Sequence, residues 1–461
     1  MSETTSDLLL EVGVEELPAS FVEAALVAIP DLATRRLTEL RLGFETVRAL
    51  GTPRRLALFV KGLADHQPNL EEDVTGPPLK AAYKDGLPTK ATLAFATKLG
   101  CSVADLRHVS TPKGEYVGGT RRETGQSARV LLPPALESLV LAIPFRKSMR
   151  WGAGDVAFGR PIQWLVALLG DQLLDVTIAG IKSGRSSRGH RFLSPSSVVL
   201  ADASQYLSAL RAAHVLADPE ERARVMRDRL NDAATGIGGR LIEDDFLMGE
   251  NLSLVEEPHV VVGGYDAEYL ELPERVILQV AKGHQRYFGA RASGGELLPN
   301  YLAVVNTAIH PANVRRGNDR AMRARLADAQ FFYREDLKVP LASRREKLAH
   351  VVFQKRLGSV LGKADRVERL ARELGLLAML PEATLMAAAS GAYLAKCDLV
   401  SLMVGEFPEL EGEMGCAYAL AQGAAPEVAE VIKSHYMPRG AGDSTAPTDA
   451  AALVAIADRL D

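Results

Sequence analysis

The sequence predicts an α+β protein in which two mixed regions precede an all-helical end. Three observations predict it. Apolar runs of strand length alternate with helical apolar spacing through the first part of the chain. Strand signals stop near Pro311, and helical spacing alone continues to Asp461. No internal repeat and no low-complexity linker interrupts either part.

The apolar run Leu8–Val14 reads as a strand. Pro18 opens a helical pattern that continues to about Leu42 despite Pro30. Phe44–Leu50 and Leu56–Val60 read as strands around the turn Gly51-Thr52-Pro53. Lys90–Gly100 is a helix stopped by its glycine, Glu115–Thr120 a strand, and Pro134–Leu141 a helix with proline in its first turn. Further strands are expected at Trp164–Leu169, Leu173–Ile178 and His190–Phe192, with turns at Gly170-Asp171 and Gly184. Helices at Ala203–Ala212 and Pro219–Ala234 lead to strands at Val260–Gly263, Tyr287–Ala290 and Tyr301–Val305. Beyond Pro311 the helical segments are Asn313–Glu335, Leu341–Phe353, Lys363–Met379, Ala383–Met403, Glu427–Ser434 and Ala450–Asp461. Composition shifts divide this series into an α+β domain over residues 1–143, a second α+β domain over 144–339 and a helical domain over 340–461.

A chain of 461 residues with 47% hydrophobic and 24% charged residues can bury several cores without disulfides or metals. Its three cysteines, Cys101, Cys397 and Cys416, are odd in number and widely spaced, which fits a reducing, cytoplasmic setting rather than a disulfide framework or zinc site. The start Met-Ser-Glu-Thr-Thr-Ser-Asp lacks a basic region, so no signal peptide is expected, and no apolar run is long enough for a membrane span. The helical pattern reaches Asp461 without a cap or polar tail, so the chain is expected to be cut from a longer one.

The net charge of −4 hides an uneven distribution. Residues 311–356 hold 12 Lys/Arg against 5 Asp/Glu, whereas residues 397–461 hold 3 against 11. A basic stretch on a near-neutral protein can take phosphate locally, and Arg315 and Arg316 lie at its densest part; two solvated helical faces would give the same counts. The phosphate loop, the dinucleotide-binding glycine fingerprint, the H-E-x-x-H helix and the nucleophile elbow do not occur, and the nine histidines are scattered. Instead, three segments combine cations with aromatics, the last two with a glycine as well: Arg146-Lys-Ser-Met-Arg-Trp151, Arg185-Ser-Ser-Arg-Gly-His-Arg-Phe192 and Lys282-Gly-His-Gln-Arg-Tyr-Phe288. Guanidinium groups bind phosphate oxygens and aromatic rings stack on bases. Turns whose arginine stems cover aromatic surface have the same composition.

Seven short motifs then occur in one order along the chain: Glu11-Val-Gly-Val-Glu-Glu-Leu-Pro18, Thr52-Pro-Arg-Arg-Leu-Ala57, Met149-Arg-Trp-Gly152, Arg188-Gly-His-Arg-Phe192, Arg325-Leu-Ala-Asp-Ala329, Ala395-Lys-Cys-Asp-Leu399 and Ala457-Asp-Arg-Leu-Asp461. Together they resemble the bacterial glycyl-tRNA synthetase β-subunit family. The resemblance implies an α2β2 enzyme in which the α subunit carries the active site for ATP, Mg and glycine. The β subunit would bind tRNA(Gly), hold no cofactor and no catalytic residue of its own, and meet neither membrane nor DNA. A C-terminal anticodon-binding domain would lie beyond Asp461. On the motif stretches and their flanks, the resemblance offers Arg54, Arg55, Arg146, Arg150, Arg188 and Arg191 as tRNA contacts beside Arg315 and Arg316.

The helical end also resembles the HD phosphohydrolase fold, in which two histidines and two aspartates hold a divalent metal. Lys363 occupies the place of the first histidine, Cys397 and Asp398 the His-Asp pair, Asp458 or Asp461 the distal aspartate, and His435 an auxiliary position. A cation at Lys363 opposes a divalent metal, so the resemblance implies a degenerate scaffold without metal or hydrolase activity. Two other readings are a working HD-type nucleotide phosphohydrolase and an RNA-binding scaffold that acts without a synthetase partner.

Overall fold

The computed structural model describes residues 4–461, so Met1–Glu3 of the non-basic start lie outside the described residues. It is α+β, and its contacts form two compact units, Met1–Met226 with Gly249–Pro258 and Arg227–Met248 with His259–Asp461. This is not the three-way division expected from composition. Strand Ile162–Leu169 pairs with strand Thr5–Val14, so residues on both sides of 143/144 share one sheet.

In the first unit the sheet runs in the order Thr177–Ile178, Ile181–Gly184, Ile162–Leu169, Thr5–Val14, Arg55–Ala64, Thr46–Thr52, with Gln172–Leu173 paired beside Ile162–Leu169. Every pairing is antiparallel except Ile162–Leu169 with Ile181–Gly184. Both faces are covered, which explains the near-continuous apolar character of Thr5–Val14. Leu8, Leu10 and Val12 pack with helices Ala19–Glu39 and Ala128–Leu141. Leu9, Trp164, Val166 and Leu168 pack with Tyr206 and Leu210 of helix Tyr206–Ala212 on the other face. Period-two alternation places Glu11 and Gly13 on that second face too, where a carboxylate needs partners. A smaller antiparallel sheet, ordered Leu70–Pro78, Gly114–Glu123, Arg107–Thr111, packs on helix Lys90–Leu99, which ends at Gly100 with φ 66°.

The second unit has an antiparallel sheet ordered Gly239–Leu241, Phe288–Ala292, Leu297–Val305, His259–Gly264. Helix Pro311–Leu337 packs into the same core through Met322, Leu326 and Ala329. Helices Val360–Leu377, Glu382–Leu394, Pro426–Ser434 and Asp449–Leu460 enclose a second, alanine-rich core.

The departures from the expected elements have local causes. His190–Phe192 is a tight turn rather than a strand, because His190 Nδ1 accepts the amides of Phe192 and Leu193. Leu173–Ile178 breaks into two short strands where Ser183 Oγ accepts from Val176 N and donates to Leu174 O. The helix expected from Pro134 starts at Ala128, where Ser127 accepts from Arg129 N, and it contains both Pro133 and Pro134. Leu341–Phe353 is a run of 3-10 turns, Leu341–His350, followed by strand Val352–Gln354. Its Arg344 and Arg345 are buried, not the solvated face that its charge pattern suggests. The segment Ala383–Met403 breaks after Leu394, because Lys396 adopts φ 68°. Strands Leu70–Pro78 and Arg107–Thr111 and helix Glu413–Ala421 have weak apolar periodicity and are not evident in the sequence.

Candidate nucleic-acid interface

A buried ionic network underlies the cation-rich turn within Arg185–Phe192. Glu11 and Arg55 face one another from adjacent strands with no solvent exposure, Nη1 to Oε2 3.6 Å. The Glu11 carboxylate accepts from Ser187 Oγ at 2.6 and 2.9 Å, from Tyr206 OH at 2.6 Å and from the Trp164 indole N–H. Glu256, carried in by Gly249–Pro258, accepts from Arg55 Nη2 at 2.9 Å, Arg54 Nη1 at 3.1 Å and Thr52 Oγ1 at 2.9 Å. Burial acts to raise the Glu256 carboxyl, but Arg55 and Arg54 overcome it and hold it below its ordinary range. Burial likewise acts to lower Arg55, and Glu256 and Glu11 outweigh it, leaving Arg55 raised. Two carboxylates and two guanidinium groups thus neutralise each other, as a buried ion cluster requires. Arg54 and Arg55 are therefore interior residues rather than phosphate contacts. Their expected role is corrected because strand alternation points Arg55 inward and Glu256 claims both side chains.

The network pins a surface turn. Arg55 Nη1 donates to Arg188 O at 2.7 Å, and Arg54 Nη1 to Gly189 O at 3.4 Å. A Cβ at Gly189 would lie 2.2 Å from Ser194 O, so only glycine closes the turn. Trp164 lies on the Gly13 backbone, where a Cβ would come within 1.9 Å of the indole. The Arg188 guanidinium sits 4.6 Å from the Trp164 ring. Arg188 is exposed, and among the described residues no carboxylate pairs with it. Arg191 is exposed as well and pairs with Glu16 at 2.9 Å.

Arg146 and Arg150 belong to a segment that meets the loop Glu15–Leu17, whose Glu16 pairs with Arg191. Strand Met149–Arg150 pairs with Ala157–Phe158, and Phe158 packs edge-on against Phe145. Gly159 follows, in contact range of Leu17, and Pro161 O accepts from Glu15 N at 3.1 Å. Arg146 and Arg150 are exposed, with no ion pair among the described residues. Four of the six arginines expected in this unit thus reach solvent, and two are buried.

Arg315 and Arg316 belong to the second unit, in the first turns of Pro311–Leu337. Arg315 is exposed and pairs loosely with Asp319 at 3.5 Å, and Arg316 donates to Asn313 Oδ1 at 2.8 Å. Arg320 is exposed one turn on, and Arg323 pairs with Asp266 at 3.4 Å. The solvent face of this helix is therefore cationic in its first half.

The helical module gathers four of the six positions expected from the HD-like pattern. Lys363 Nζ lies 3.3 Å from Asp458 Oδ1 and 3.4 Å from Asp461 Oδ2. Lys396, missed although it lies inside Ala395–Leu399, reaches Asp458 Oδ1 at 3.0 Å and His435 Nε2 at 3.3 Å. An ammonium has no acceptor, so Nε2 accepts and Nδ1–H donates to Ile432 O at 2.7 Å. Burial and then Lys396 push the His435 imidazole down to about 3. Burial also lowers Lys396, against the pull of Asp458. Asp458 is held below its ordinary range because Lys396 and Lys363 overcome its burial.

Cys397 and Asp398 do not join this cluster, which corrects their expected place. The left-handed turn at Lys396 sends the ammonium toward Asp458, Cys397 enters the hydrophobic core, and burial pushes its thiol up to about 12. Asp398 Oδ2 accepts the amides of Gly412 at 2.6 Å and Gly415 at 2.9 Å, capping helix Glu413–Ala421. Among the described residues no three His, Cys, Asp or Glu side chains gather to hold a metal ion, and no helix is long and apolar enough to cross a membrane.

The sequence model of the family described as glycyl-tRNA synthetase beta subunit matches residues 8–461. The chain is 47% identical over 458 residues to the glycine–tRNA ligase beta subunit of Myxococcus xanthus, covering 99% of this chain and 65% of that relative. It is 43% identical to the proteins of the same name from Geobacter metallireducens and Moorella thermoacetica, covering 99% of this chain and 66% of each. The chain thus spans a little less than two-thirds of the length of these relatives.

Proposed function

The chain belongs to the glycyl-tRNA synthetase beta subunit family, and from that premise we propose that it serves as the β subunit of a two-subunit glycine–tRNA ligase. In this reading it binds tRNA(Gly) and positions it for ATP-dependent glycylation at the active site of a separate α subunit, within an α2β2 assembly in the cytoplasm. ATP and Mg are engaged by the α subunit, and this chain contributes to rate by fixing the tRNA in a reactive geometry.

The observation that carries the reading is the family match over residues 8–461. Two exposed cationic surfaces support the binding role: Arg146, Arg150, Arg188 and Arg191 in the first unit, and Arg315 and Arg316 in the second. Exposed guanidinium groups on a firm scaffold suit a phosphate backbone. The HD-type phosphohydrolase reading is disfavoured, because the Lys363 and Lys396 ammonium groups stand among the carboxylates where a divalent ion would need to sit.

Binding of tRNA(Gly) to the chain across a salt series tests the proposal. We expect affinity to fall linearly on a log–log plot, and Arg146→Ala with Arg150→Ala to flatten the slope by about one unit for each phosphate no longer neutralised. No measurable tRNA binding at low salt would contradict it. Binding of unrelated RNAs with equal affinity would favour the scaffold reading.

A further inference from the structure

We propose that the turn Arg188–Leu193 is a binding site for one unpaired RNA nucleotide, with the Phe192 ring stacking on the base and the Arg188 guanidinium taking the adjoining phosphate. The inference rests on the tRNA-binding reading above and names the part of the RNA that this surface takes. Phe192 is the reason for looking here: a large apolar ring 58% exposed on a turn that also carries the exposed Arg188 and Arg191. An exposed phenylalanine on a loose loop would mean little, but this turn is held from four directions. His190, fully buried, accepts the Phe192 and Leu193 amides at 3.2 and 3.1 Å. Ser194 N donates to His190 O at 3.0 Å, and His190 N donates to Ala213 O at 2.9 Å. Arg55, itself locked between Glu11 and Glu256, holds the Arg188 carbonyl.

The Arg188 side chain is oriented by a different contact, the Trp164 face. A guanidinium stacked on an indole keeps its in-plane N–H donors free for an oxyanion, at little cost in side-chain entropy on binding. Three groups could compete for it. Arg54 and Arg55, close to the same indole, are spoken for by Glu256, and Arg191 is paired with Glu16. Arg188 is the cation of this turn without a carboxylate among the described residues, and it stands four residues from an exposed ring.

A ring beside an unpaired cation suits a single-stranded nucleotide better than a duplex, whose bases present no free face, because stacking needs an unstacked base. A protein partner would be recognised by the ring without needing the cation. That difference separates the two classes of occupant. The nucleotide could come from the 3′ end of a tRNA or from one of its loops, and both offer the same chemistry.

The test is fluorescence-anisotropy titration of the chain with three RNAs: intact tRNA(Gly), the same tRNA trimmed of its four 3′-terminal nucleotides, and its anticodon stem-loop. Wild type is compared with Phe192→Ala, Phe192→Tyr and Arg188→Ala. Both side chains are exposed, so the variants are expected to fold, which circular dichroism checks. We expect Phe192→Ala to weaken at least one RNA by about 5-fold or more with an unchanged salt slope, and Phe192→Tyr to retain wild-type affinity. Arg188→Ala is expected to weaken the same RNA and flatten its salt slope. Loss confined to intact tRNA places the nucleotide at the 3′ end, and loss shared with the stem-loop places it in the anticodon loop. Wild-type affinity of Phe192→Ala for all three RNAs overturns the inference while leaving tRNA binding intact. So does unchanged RNA binding combined with lost co-purification of the α subunit, which would make the turn a protein contact. If wild type binds no RNA, the inference and the tRNA-binding reading fail together.

Discussion

Two of the buried charged clusters among the described residues, one in each unit, are built from opposite chemistries. In the first unit Arg55 and Arg54 meet Glu11 and Glu256, and planar guanidinium forks saturate the carboxylates together with Ser187, Thr52, Tyr206 and Trp164. In the second, the point charges of Lys363 and Lys396 share Asp458, with a neutral His435 as acceptor. The guanidinium cluster reaches through backbone carbonyls to a surface turn and so shapes something a ligand can touch. The ammonium cluster closes on itself and on Asp461 near the end of the chain. Arginine with five fixed donors can hold a carboxylate and a loop at once, whereas lysine fills a hole between carboxylates.

The largest expected effect breaks the first cluster. Arg55→Leu leaves Glu11 and Glu256 buried without their main partner and is expected to cost about 3–5 kcal/mol in urea unfolding. Arg55→Lys should recover little of it, because one ammonium cannot replace bonds to Glu256, Ser187 and Arg188 O together. A fully stable lysine variant would show that the fork is not what matters. Breaking the second cluster with Asp458→Asn leaves Lys363 with Asp461 and takes from Lys396 the carboxylate it pairs with. A loss of about 3 kcal/mol is expected, at the lower end of the range because Asp461 still answers Lys363.

A pH series sharpens the same contrast. His435 is neutral when folded, with its imidazole pushed down to about 3 by burial and then by Lys396. An unfolded chain protonates the same group near the ordinary 6.5. The stability that the neutral imidazole contributes is therefore complete above about 6.5 and declines as pH falls toward 3, by at most about 1.4 kcal/mol per pH unit. Lys396, Asp458 and Arg439 are the charged groups acting on it. His435→Gln should flatten the melting-temperature profile between pH 7 and 5, and an unchanged profile would remove His435 as its cause. The smallest effect on stability belongs to the surface. Arg316→Ala should leave the urea midpoint unchanged while lowering the salt slope of tRNA binding by about one unit.

These two clusters also mark how far the sequence could be read. Strands Thr5–Val14 and Arg55–Ala64 and helix Pro311–Leu337 were legible, because local apolar spacing fixes each of them. Arg54 and Arg55 were not legible as interior residues. Their burial depends on Glu256, about two hundred positions away, and no local pattern announces a partner at that distance. Lys396 was hidden for a different reason. Its place in the cluster follows from one left-handed residue that turns Cys397 and Asp398 away, and lysine carries no sequence signal for that conformation. Phe192 closes the motif that begins at Arg188, but only the pinned turn distinguishes an exposed ring from an ordinary core aromatic.

If this chain acts by presenting tRNA(Gly) to an active site on another polypeptide, the most direct test is glycylation of tRNA(Gly) by a separately purified α subunit. The reaction is run with and without this chain, and with the longer beta subunit of Myxococcus xanthus in its place. Charging is expected only when a β chain is added, with the 461-residue chain giving at least part of the rate that the longer relative gives. Charging by the α subunit alone at an undiminished rate would contradict that role.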